Sequence, residues 1–394
     1  MSALGRLRIA YGVMGYGRGH ATRVRSVLPA LMAQHDVTVF AGGDAVPVLA
    51  PLAPLVRIPT LGYVYGHRGD LSVVGTIARN FTGMSDLLLR GQGLATVTRE
   101  LRDGAFDLVI SDSEAWTHRA AERLGLPRIS FDHVGVIAWC RPHFPSELWL
   151  RGRRDAWVYR QLMGRPDRIL ITSFYSIEPV DASTRVMGPV LRSELQQVTP
   201  THGDFLLAYF NKGRHQYTAS IDLALRRLDA PVVIYGTPYR GRVDNLEFRA
   251  PGNSAFIRDL AACRALLSTA GNQLIGEAIY FRKPILALPE DVFEQQLNAR
   301  MVERMGIGQR GRLTSLTVGD IEDFLVGCDS CRARMPDIRP DGRDEAARTL
   351  LQFVEELGTR PRRRRRKPRA LSQDRNRAVT DFAPSKLTPM TETP

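Results

Sequence analysis

Short continuous apolar runs alternate along the chain with longer stretches in which apolar residues recur at helical spacing. In residues 20–34, for example, Val24, Val27, Leu28 and Leu31 fall on one side of a predicted helix. Apolar strands separated by helices are typical of a parallel sheet that helices cover on both faces. The predicted strands cover residues 7–13, 36–42, 55–60, 106–112, 127–132, 168–174, 205–210, 231–236, 246–250, 265–269 and 284–289.

The alternation pauses once, at a polar stretch between residues 193 and 204, and then resumes. The chain has 394 residues, which exceeds the size of about 250 to 300 residues at which single cores stop growing. We therefore predict an α/β protein of two Rossmann-like, doubly wound domains that face a cleft, residues 1–190 and 203–358.

The net charge of +13 is concentrated at the C-terminal end. From Arg360 onward there are eleven lysines and arginines and three acidic residues. This Arg-rich tail, residues 359–394, is predicted to be disordered because its composition buries little apolar surface. It is interpreted as attracting anionic lipid headgroups; nucleic-acid binding and a solvated tail without a partner are the alternatives. Since no nucleic-acid-binding motif is visible, we expect no specific nucleic-acid partner.

No apolar run reaches the length of about 18 to 20 residues that spans a membrane. We therefore expect a cytoplasmic protein, attached peripherally to the inner face of the membrane. The apolar segments 80–89 and 143–150 are candidate membrane contacts, with internal packing as the alternative. Cys328 and Cys331 form a C-x-x-C pair without further zinc ligands nearby, so neither a metal nor a redox site is expected.

A glycine-rich turn, GYGRGHATR, follows the first predicted strand and opens a helix. In an open α/β sheet this edge binds ligands. The spacing does not fit G-x-G-x-x-G, which disfavours a nicotinamide cofactor. Gly17 allows a ligand close to the backbone, and His20 suits a general base for a hydroxyl nucleophile. The alternative is a tight connection with an exposed or capping histidine.

Polar side chains also stand where two other strands of the first half end. They are Asp112, Glu114, Asp132 and His133. Such residues line an acceptor pocket or assist deprotonation, and we count Asp112 and His133 as catalytic candidates. The alternative is that they cap the helices that follow.

In the second half, residues 266–308 begin as a strand, turn at Gly271 and continue as a helix. Amides near Gly271 and Asn272 would point at a pyrophosphate at the helix N-terminus. Glu277, about one and a half turns further, is placed to accept hydrogen bonds from ribose hydroxyls.

These two glycine turns together resemble the GT-B glycosyltransferases, specifically the MurG-like branch and related teichoic-acid-type enzymes. The shared pattern is a glycine turn, a glutamate six residues later, a segment with two prolines, an acidic residue or histidine with Gln, and Asn-Ala. The matching residues here are Gly271, Glu277, Pro284, Pro289, Glu294, Gln295, Asn298 and Ala299.

The resemblance implies a role for each matching position. Glu277 would hold the donor ribose, and Gly271 and Asn272 the diphosphate. His20 is similar to the family's motif histidine. Further donor contacts implied are those of Glu294 and Gln295 with sugar hydroxyls, Phe256 with the base, and Asn211, Lys212 and Gly213 with the phosphates.

The sequence departs from the family pattern beside the C-terminal glycine. Ala270 and Leu274 stand where the family has a small or hydroxyl residue and a threonine. Phosphate binding is therefore expected to fall to backbone amides and to Asn272, Thr269 or Lys212.

The function implied is an inverting, metal-independent glycosyltransferase without a cofactor. A UDP-linked sugar is the expected donor, and the acceptor is a hydroxyl of a lipid-linked molecule or a glycan. A D-x-D metal motif is not present in the sequence. A sugar-nucleotide epimerase or hydrolase on the same fold, and a basic nucleic-acid-binding protein, remain the alternatives.

Overall fold

The computed structural model describes residues 5–61, 73–89, 91–142, 148–250, 252–336 and 341–359. These residues form two seven-stranded sheets with helices packed against them. The segment 143–147 and the tail from residue 360 onward, for which disorder is predicted, lie outside the described residues.

The first sheet is parallel throughout, in the order β3-β2-β1-β4-β5-β6-β7. Its strands are β1 (Arg8–Val13), β2 (Asp36–Ala41), β3 (Leu55–Arg57), β4 (Leu108–Asp112), β5 (Arg128–Asp132), β6 (Arg168–Thr172) and β7 (Thr184–Met187). The helices of this half are α1 (Arg18–Gln34), α2 (Val46–Leu49), α3 (Val73–Leu89), α4 (Gln92–Asp103), α5 (Ala115–Leu124), α6 (Val136–Trp139) and α7 (Trp149–Met163).

The second sheet has the order β10-β11-β9-β8-β12-β13-β14, and only β10 pairs antiparallel. Its strands are β8 (Leu206–Tyr209), β9 (Val232–Tyr235), β10 (Gly241–Val243), β11 (Leu246–Arg249), β12 (Ala265–Ser268), β13 (Ile285–Ala287) and β14 (Gly308–Arg310). The helices are α8 (Ala219–Arg226), α9 (Asn253–Ala262), α10 (Asn272–Tyr280), α11 (Phe293–Arg304), α12 (Val318–Val326) and α13 (Cys328–Ala333).

All eleven predicted strands are present, and three short strands were missed for a physical reason. β10 is fully exposed, and β14 has the sequence Gly-Gln-Arg, so neither carries an apolar signal. β7 buries only its two end residues. These strands form because a neighbouring strand offers hydrogen bonds, which a periodicity of hydrophobic residues does not reveal.

The last helix, α14 (Arg343–Gly358), packs against the first sheet. Leu350 and Phe353 share a core with Val24 and Val27 of α1. By sequence order the helix belongs to the predicted second domain. The chain therefore passes between the two sheets twice, and the two passages touch where the amide of Gly342 donates to the carbonyl of Pro189 at 2.8 Å.

Both sheets change strand order at a position that suits ligand binding. In the first sheet the change lies between β1 and β4, and in the second between β8 and β12. Open α/β sheets bind ligands at the carboxyl ends of the strands at such a point. The two glycine turns that the sequence singles out begin at these two places.

Two further predictions from the sequence concern the cysteines and membrane-spanning segments. All four cysteines are buried and unpaired by disulfides, Cys328 and Cys331 among them. No helix within the described ranges has the length and apolarity required to cross a bilayer.

Candidate active site

The N-terminal glycine turn brings backbone close to open space at the start of α1. Gly17 precedes the helix with a φ of 85°, in the region that favours glycine, and no side chain caps the helix. A Cβ on Gly17 would meet no atom within 4 Å. The Gly17 amide donates to Oδ2 of Asp44 at 2.9 Å, which fixes the turn.

His20, on the first turn of α1, lies against the last residue of β4. Its Nδ1 is 2.7 Å from Oδ1 of Asp112. Arg23, one helical turn further, donates to both carboxylate oxygens of Asp112, at 2.7 Å and 2.6 Å. Asp112 and Arg23 are buried, whereas the His20 side chain is 19% exposed.

These distances assign the tautomer of His20. A contact of 2.7 Å between Nδ1 and a carboxylate oxygen requires a hydrogen on Nδ1, so Nδ1 donates to Asp112. The 3.2 Å contact with Arg23 is then between two donors. Burial alone would raise the pKa of Asp112, but the charges of Arg23 and His20 outweigh burial and hold it below its ordinary value. In neutral His20, Nε2 is left as the proton acceptor.

The other acids at these strand ends support the local fold. Glu114 caps α5, accepting from the amides of Trp116 and Thr117 at 2.6 Å and 2.8 Å. Asp132 accepts from the Gly135 amide at 2.6 Å and the Tyr159 hydroxyl at 2.8 Å. The capping alternative therefore describes Glu114, while Asp112 faces His20.

His133 joins the two halves of the chain. Its Nδ1 lies 2.7 Å from the carbonyl oxygen of Thr172, and its Nε2 lies 3.0 Å from Oδ1 of Asn298 in α11. Asn298 uses its two amide hydrogens on the Ala270 carbonyl, at 3.1 Å, and on Oε1 of Glu294, at 2.7 Å.

Because Asn298 donates both hydrogens elsewhere, its Oδ1 is an acceptor for His133. Both ring nitrogens of His133 thus face acceptors within the protein. Oε1 of Glu294 lies 3.5 Å from Nε2. His133 is 2% exposed. In this structure both ring nitrogens of His133, a catalytic candidate from the sequence, are engaged by protein atoms.

The C-terminal glycine turn leaves the first amides of α10 open. Gly271 precedes the helix without a side-chain cap, and a Cβ there would meet no atom within 4 Å. Asn272 is 5% exposed, yet neither of its side-chain polar atoms has a hydrogen-bond partner. Ala270 turns the chain at a φ of 61°, a strained conformation for alanine. Thr269, also predicted to bind phosphate, is buried beside this turn.

The N-termini of α1 and α10 face each other. A Cβ built on Gly19 would lie 3.8 Å from the Cβ of Gln273. Neither helix has an acidic residue in its first turn. Amide hydrogens and the positive ends of two helix dipoles are therefore close together here, an arrangement that favours negative charge.

The carboxylate of Glu277 forms an ion pair with an arginine in this structure. Nε of Arg192 donates to Oε1 of Glu277 at 2.8 Å, and a terminal guanidinium nitrogen donates to Oε2. The guanidinium carbon lies 5.7 Å from the ring centroid of Phe256, the predicted base contact. Burial opposes the charge of Arg192, but the carboxylate of Glu277 outweighs burial and raises the arginine's pKa.

The predicted phosphate loop after β8 contacts the N-terminal half. Nζ of Lys212 lies 3.5 Å from the ring centroid of Tyr16 and 3.6 Å from Oδ2 of Asp44. Burial lowers the pKa of Lys212, which Asp44 and Glu290 partly offset. Within the loop, Gln216 links Oδ1 of Asn211, at 2.8 Å, to the Lys212 amide, at 3.1 Å, and Gly213 has a φ of 55°.

Gln295 shapes the segment before α11. Its Oε1 accepts from the amide of Glu290 at 2.9 Å, and its Nε2 donates to Oε2 of Glu290 at 3.0 Å. The other carboxylate oxygen of Glu290 is buried without a partner. Glu290 is therefore a polar group of this region that the sequence analysis missed, as were Arg23, Asp44 and Arg192.

The sequence pattern points to some of these missed residues and not to others. Arg23 lies three residues after His20 on a predicted helix, so their common face was foreseeable. Asp44 and Arg192 lie in connecting segments, and only the folded chain shows their partners. Within the described ranges, no three His, Cys, Asp or Glu side chains group to hold a metal ion.

Comparison with known proteins decides the family. The model of the family described as glycosyl transferase family 1 matches residues 7–328. The chain belongs to glycosyl transferase family 1. This glycosyltransferase is 22% identical over 386 residues to an uncharacterised glycosyltransferase of Methanosarcina acetivorans, a match that covers 89% of this chain and 94% of the relative.

Solved structures share the fold of this glycosyltransferase. The glycotransferase of kitacinnamycin has a TM-score of 0.64 at 16% identity and covers 90% of this chain and 100% of its own. UGT89C1 of Arabidopsis thaliana, complexed with UDP-L-rhamnose, has a TM-score of 0.61 at 14% identity, with coverages of 90% and 99%. MurG of Acinetobacter baumannii has a TM-score of 0.56 at 11% identity, with coverages of 88% and 99%. The predicted GT-B fold is confirmed.

Proposed function

We propose that the chain transfers a sugar from a nucleoside diphosphate to a hydroxyl group, with inversion and without a metal ion. The observation that carries the proposal is that the start of α1, which holds the His20–Asp112 pair, faces the open N-terminus of α10. A UDP-linked donor is supported by UGT89C1, a structural neighbour whose ligand is UDP-L-rhamnose.

In this proposal the diphosphate lies between the two helix N-termini. The amides after Gly271 and the unpartnered side chain of Asn272 donate to its oxygens, and the turn at Gly17 closes the opposite side. The helix dipoles stabilise the negative charge that develops on the departing diphosphate. Lys212, which carries a positive charge beside Asp44, adds to this potential.

His20 then acts as the general base. Nδ1–H is held by Asp112, so Nε2 takes the proton of the acceptor hydroxyl as its oxygen attacks the anomeric carbon. The new bond forms on the face opposite the breaking bond to the diphosphate, which inverts the anomer. The carboxylate of Asp112 stabilises the imidazolium that results.

Glu294 and Gln295 are proposed to bind the donor sugar, with His133 as their positioning residue. Asn298 ties Glu294 and the Ala270 carbonyl to His133. The segment that meets the sugar is thereby fixed to the turn that meets the diphosphate. His133 and Asn298 connect this assembly to the first sheet.

On the acceptor side we propose a lipid-linked molecule at an anionic membrane surface. In α7 the side chains of Trp149, Leu150 and Trp157 are exposed, at 46%, 76% and 60%. Arg153 and Arg154 share this face, and the guanidinium carbon of Arg153 lies 4.7 Å from the ring centroid of Trp149. An exposed face of tryptophans and arginines is typical of helices that lie in a membrane interface.

Co-sedimentation tests the membrane contact. Replacing Trp149 and Trp157 by serine is expected to reduce binding to vesicles of phosphatidylglycerol, and vesicles of phosphatidylcholine alone are expected to bind little. A chain ending at residue 359 measures the share of the Arg-rich tail. Unchanged vesicle binding by the serine variant would show that α7 does not contact the membrane.

Product analysis tests the function itself. The chain is incubated with a panel of UDP-sugars and dTDP-sugars, with and without polyprenyl-linked and soluble glycan acceptors, and with and without EDTA. We expect transfer that EDTA does not reduce and a product of inverted anomeric configuration. Conversion of the donor at the same rate with and without every acceptor, and with no transfer product, would indicate an epimerase or hydrolase instead.

A further inference from the structure

Arg192 makes a contact that the proposed reaction does not require. It lies in the first passage between the two sheets, directly before a short 3-10 helix. Its side chain is 14% exposed, and Glu277 beneath it is 1% exposed. With both carboxylate oxygens of Glu277 accepting from the guanidinium, the residue predicted to bind ribose is already satisfied.

We propose that Arg192 occupies the position of the donor's ribose and that a nucleotide must displace it to bind. This inference rests on the proposed function and on the role of Glu277 that the GT-B resemblance implies, which is to hold the donor ribose. A ribose with two free hydroxyls presents two adjacent donors to a carboxylate, and the planar guanidinium presents two in the same way.

The contact of Arg192 with Phe256 extends its similarity to the nucleoside from the ribose to the base. The guanidinium lies over Phe256, 5.7 Å from the ring centroid, on the side of the site assigned to the base. Phe256 is in turn packed edge-on against Tyr235, with 5.2 Å between the centroids. Arg192 therefore covers both groups that the donor nucleoside would use.

The linker that carries Arg192 is fixed to the same helix. A Cβ on Gly276 would lie 2.7 Å from the Cβ of Pro189. Gln273 donates to the carbonyl of Val190 at 3.0 Å and to Oε1 of Glu277 at 3.2 Å. Displacing Arg192 therefore releases one of the ties between the linker and α10, so nucleotide binding acts on the connection between the two halves.

The test measures UDP affinity by calorimetry in the full chain and in Arg192→Met, which keeps an apolar side chain over Phe256. Removing the competitor is expected to tighten UDP binding about tenfold, the change that corresponds to an open state populated to about 10% in the wild type. Arg168→Met, which removes an arginine paired with Glu356 on the surface, is the matched control and is expected to bind UDP as the wild type does.

Adding methylguanidinium gives a second measurement. The direction in which it changes UDP affinity distinguishes an arginine that competes with the nucleotide from one that helps to bind it. In Arg192→Ala, millimolar methylguanidinium is expected to fill the vacated position and weaken UDP binding, with no effect on the wild type. If UDP instead binds more weakly to Arg192→Ala than to the wild type, and methylguanidinium restores the affinity, then Arg192 takes part in the nucleotide-bound state. That result would overturn the proposal. If the alanine variant does not fold, Arg192→Lys replaces it in this measurement, because lysine keeps the charge but not the bidentate geometry.

Failure of the proposed function has a different signature. Glu277→Gln is therefore made in the Arg192→Met background, where no guanidinium competes. If it leaves UDP affinity unchanged there, the ribose site is elsewhere, and both the role of Glu277 and the displacement of Arg192 fall. If Glu277→Gln weakens binding but Arg192→Met does not tighten it, only the displacement by Arg192 is wrong.

Discussion

His20 and Asp112 are 92 positions apart in the sequence, yet Nδ1 of the first lies 2.7 Å from Oδ1 of the second. The contact exists because β1 and β4 are neighbours in the sheet, with Val13 paired to Asp112. The helix that follows β1 carries its histidine back over the end of β4. The fold thus orients one ring nitrogen and leaves the other for chemistry.

Loss of the ring at position 20 is expected to slow transfer without weakening the donor complex. His20→Gln removes the proposed base, so kcat should fall by about 10²–10⁴-fold. UDP affinity, measured by calorimetry, should stay within twofold of the wild type, about 0.4 kcal/mol. The control is His202→Gln, at an exposed histidine. Equal kcat in wild type and His20→Gln would exclude a base role.

Removing the partner of Asp112 is expected to cost stability in a pH-dependent way. The folded pKa of Asp112 is lowered, so its ionised form contributes stability above its ordinary value of 3.8, and that contribution is lost as the pH falls through the folded pKa. Arg23→Met removes the guanidinium that pairs with both oxygens of this buried carboxylate and leaves only the hydrogen bond from His20, so we expect the free energy of unfolding to fall by about 3–5 kcal/mol at pH 7. The deficit should shrink at pH 4, where Asp112 can take up a proton.

Urea unfolding at the two pH values measures this effect. Arg6→Met, which removes an exposed pair with Asp36, is the control and should change stability by about 0–1 kcal/mol. A deficit for Arg23→Met that is small at pH 7 or grows in acid would contradict the assignment of Asp112 as ionised.

Glu114 is expected to make the protein more stable in mild acid. Burial raises its pKa from 4.5 to about 7. The folded state therefore holds the proton more tightly than the unfolded state, and stability falls as the pH rises between these values, by up to about 1.4 kcal/mol per pH unit. Glu114→Gln should lack this slope, whereas Glu355→Gln, at an exposed site, should keep it. Parallel slopes in wild type and Glu114→Gln would refute the prediction.

A methyl group at Gly271 is expected to obstruct the diphosphate while leaving the fold intact. The Cβ meets no protein atom within 4 Å, and the φ of −69° is ordinary for alanine. UDP binding should weaken about tenfold or more, which is about 1.4 kcal/mol. Gly319→Ala in α12, where the nearest atom is 3.9 Å from the Cβ, is the matched control. Equal UDP affinity of both variants would place the diphosphate elsewhere.

The sequence predicts those parts of the fold and site that depend on local pattern. A buried strand, a glycine turn and an amphipathic helix follow one another in residues 8–34 and again in residues 265–280, so both ligand-facing turns were predictable. The edge strands β10 and β14 were not, because exposed or polar residues form them only when a neighbouring strand supplies hydrogen bonds.

Roles that depend on tertiary contacts were not predictable. Asp112 and Glu114 stand two residues apart at one strand end and have the same chemistry. Ser113, with a φ of 51°, turns the chain between them, so that one faces α1 and the other caps α5. Likewise, nothing in the linker sequence indicates that Arg192 pairs with Glu277.

A crystal structure of the chain with bound UDP would locate the nucleotide directly. We expect diphosphate oxygens within hydrogen-bond distance of the amides that follow Gly271, and ribose hydroxyls on Glu277. We also expect open space between the diphosphate and Nε2 of His20, sufficient for a sugar. A nucleotide bound away from the N-terminus of α10, with Asn272 still without a partner, would contradict the proposed site.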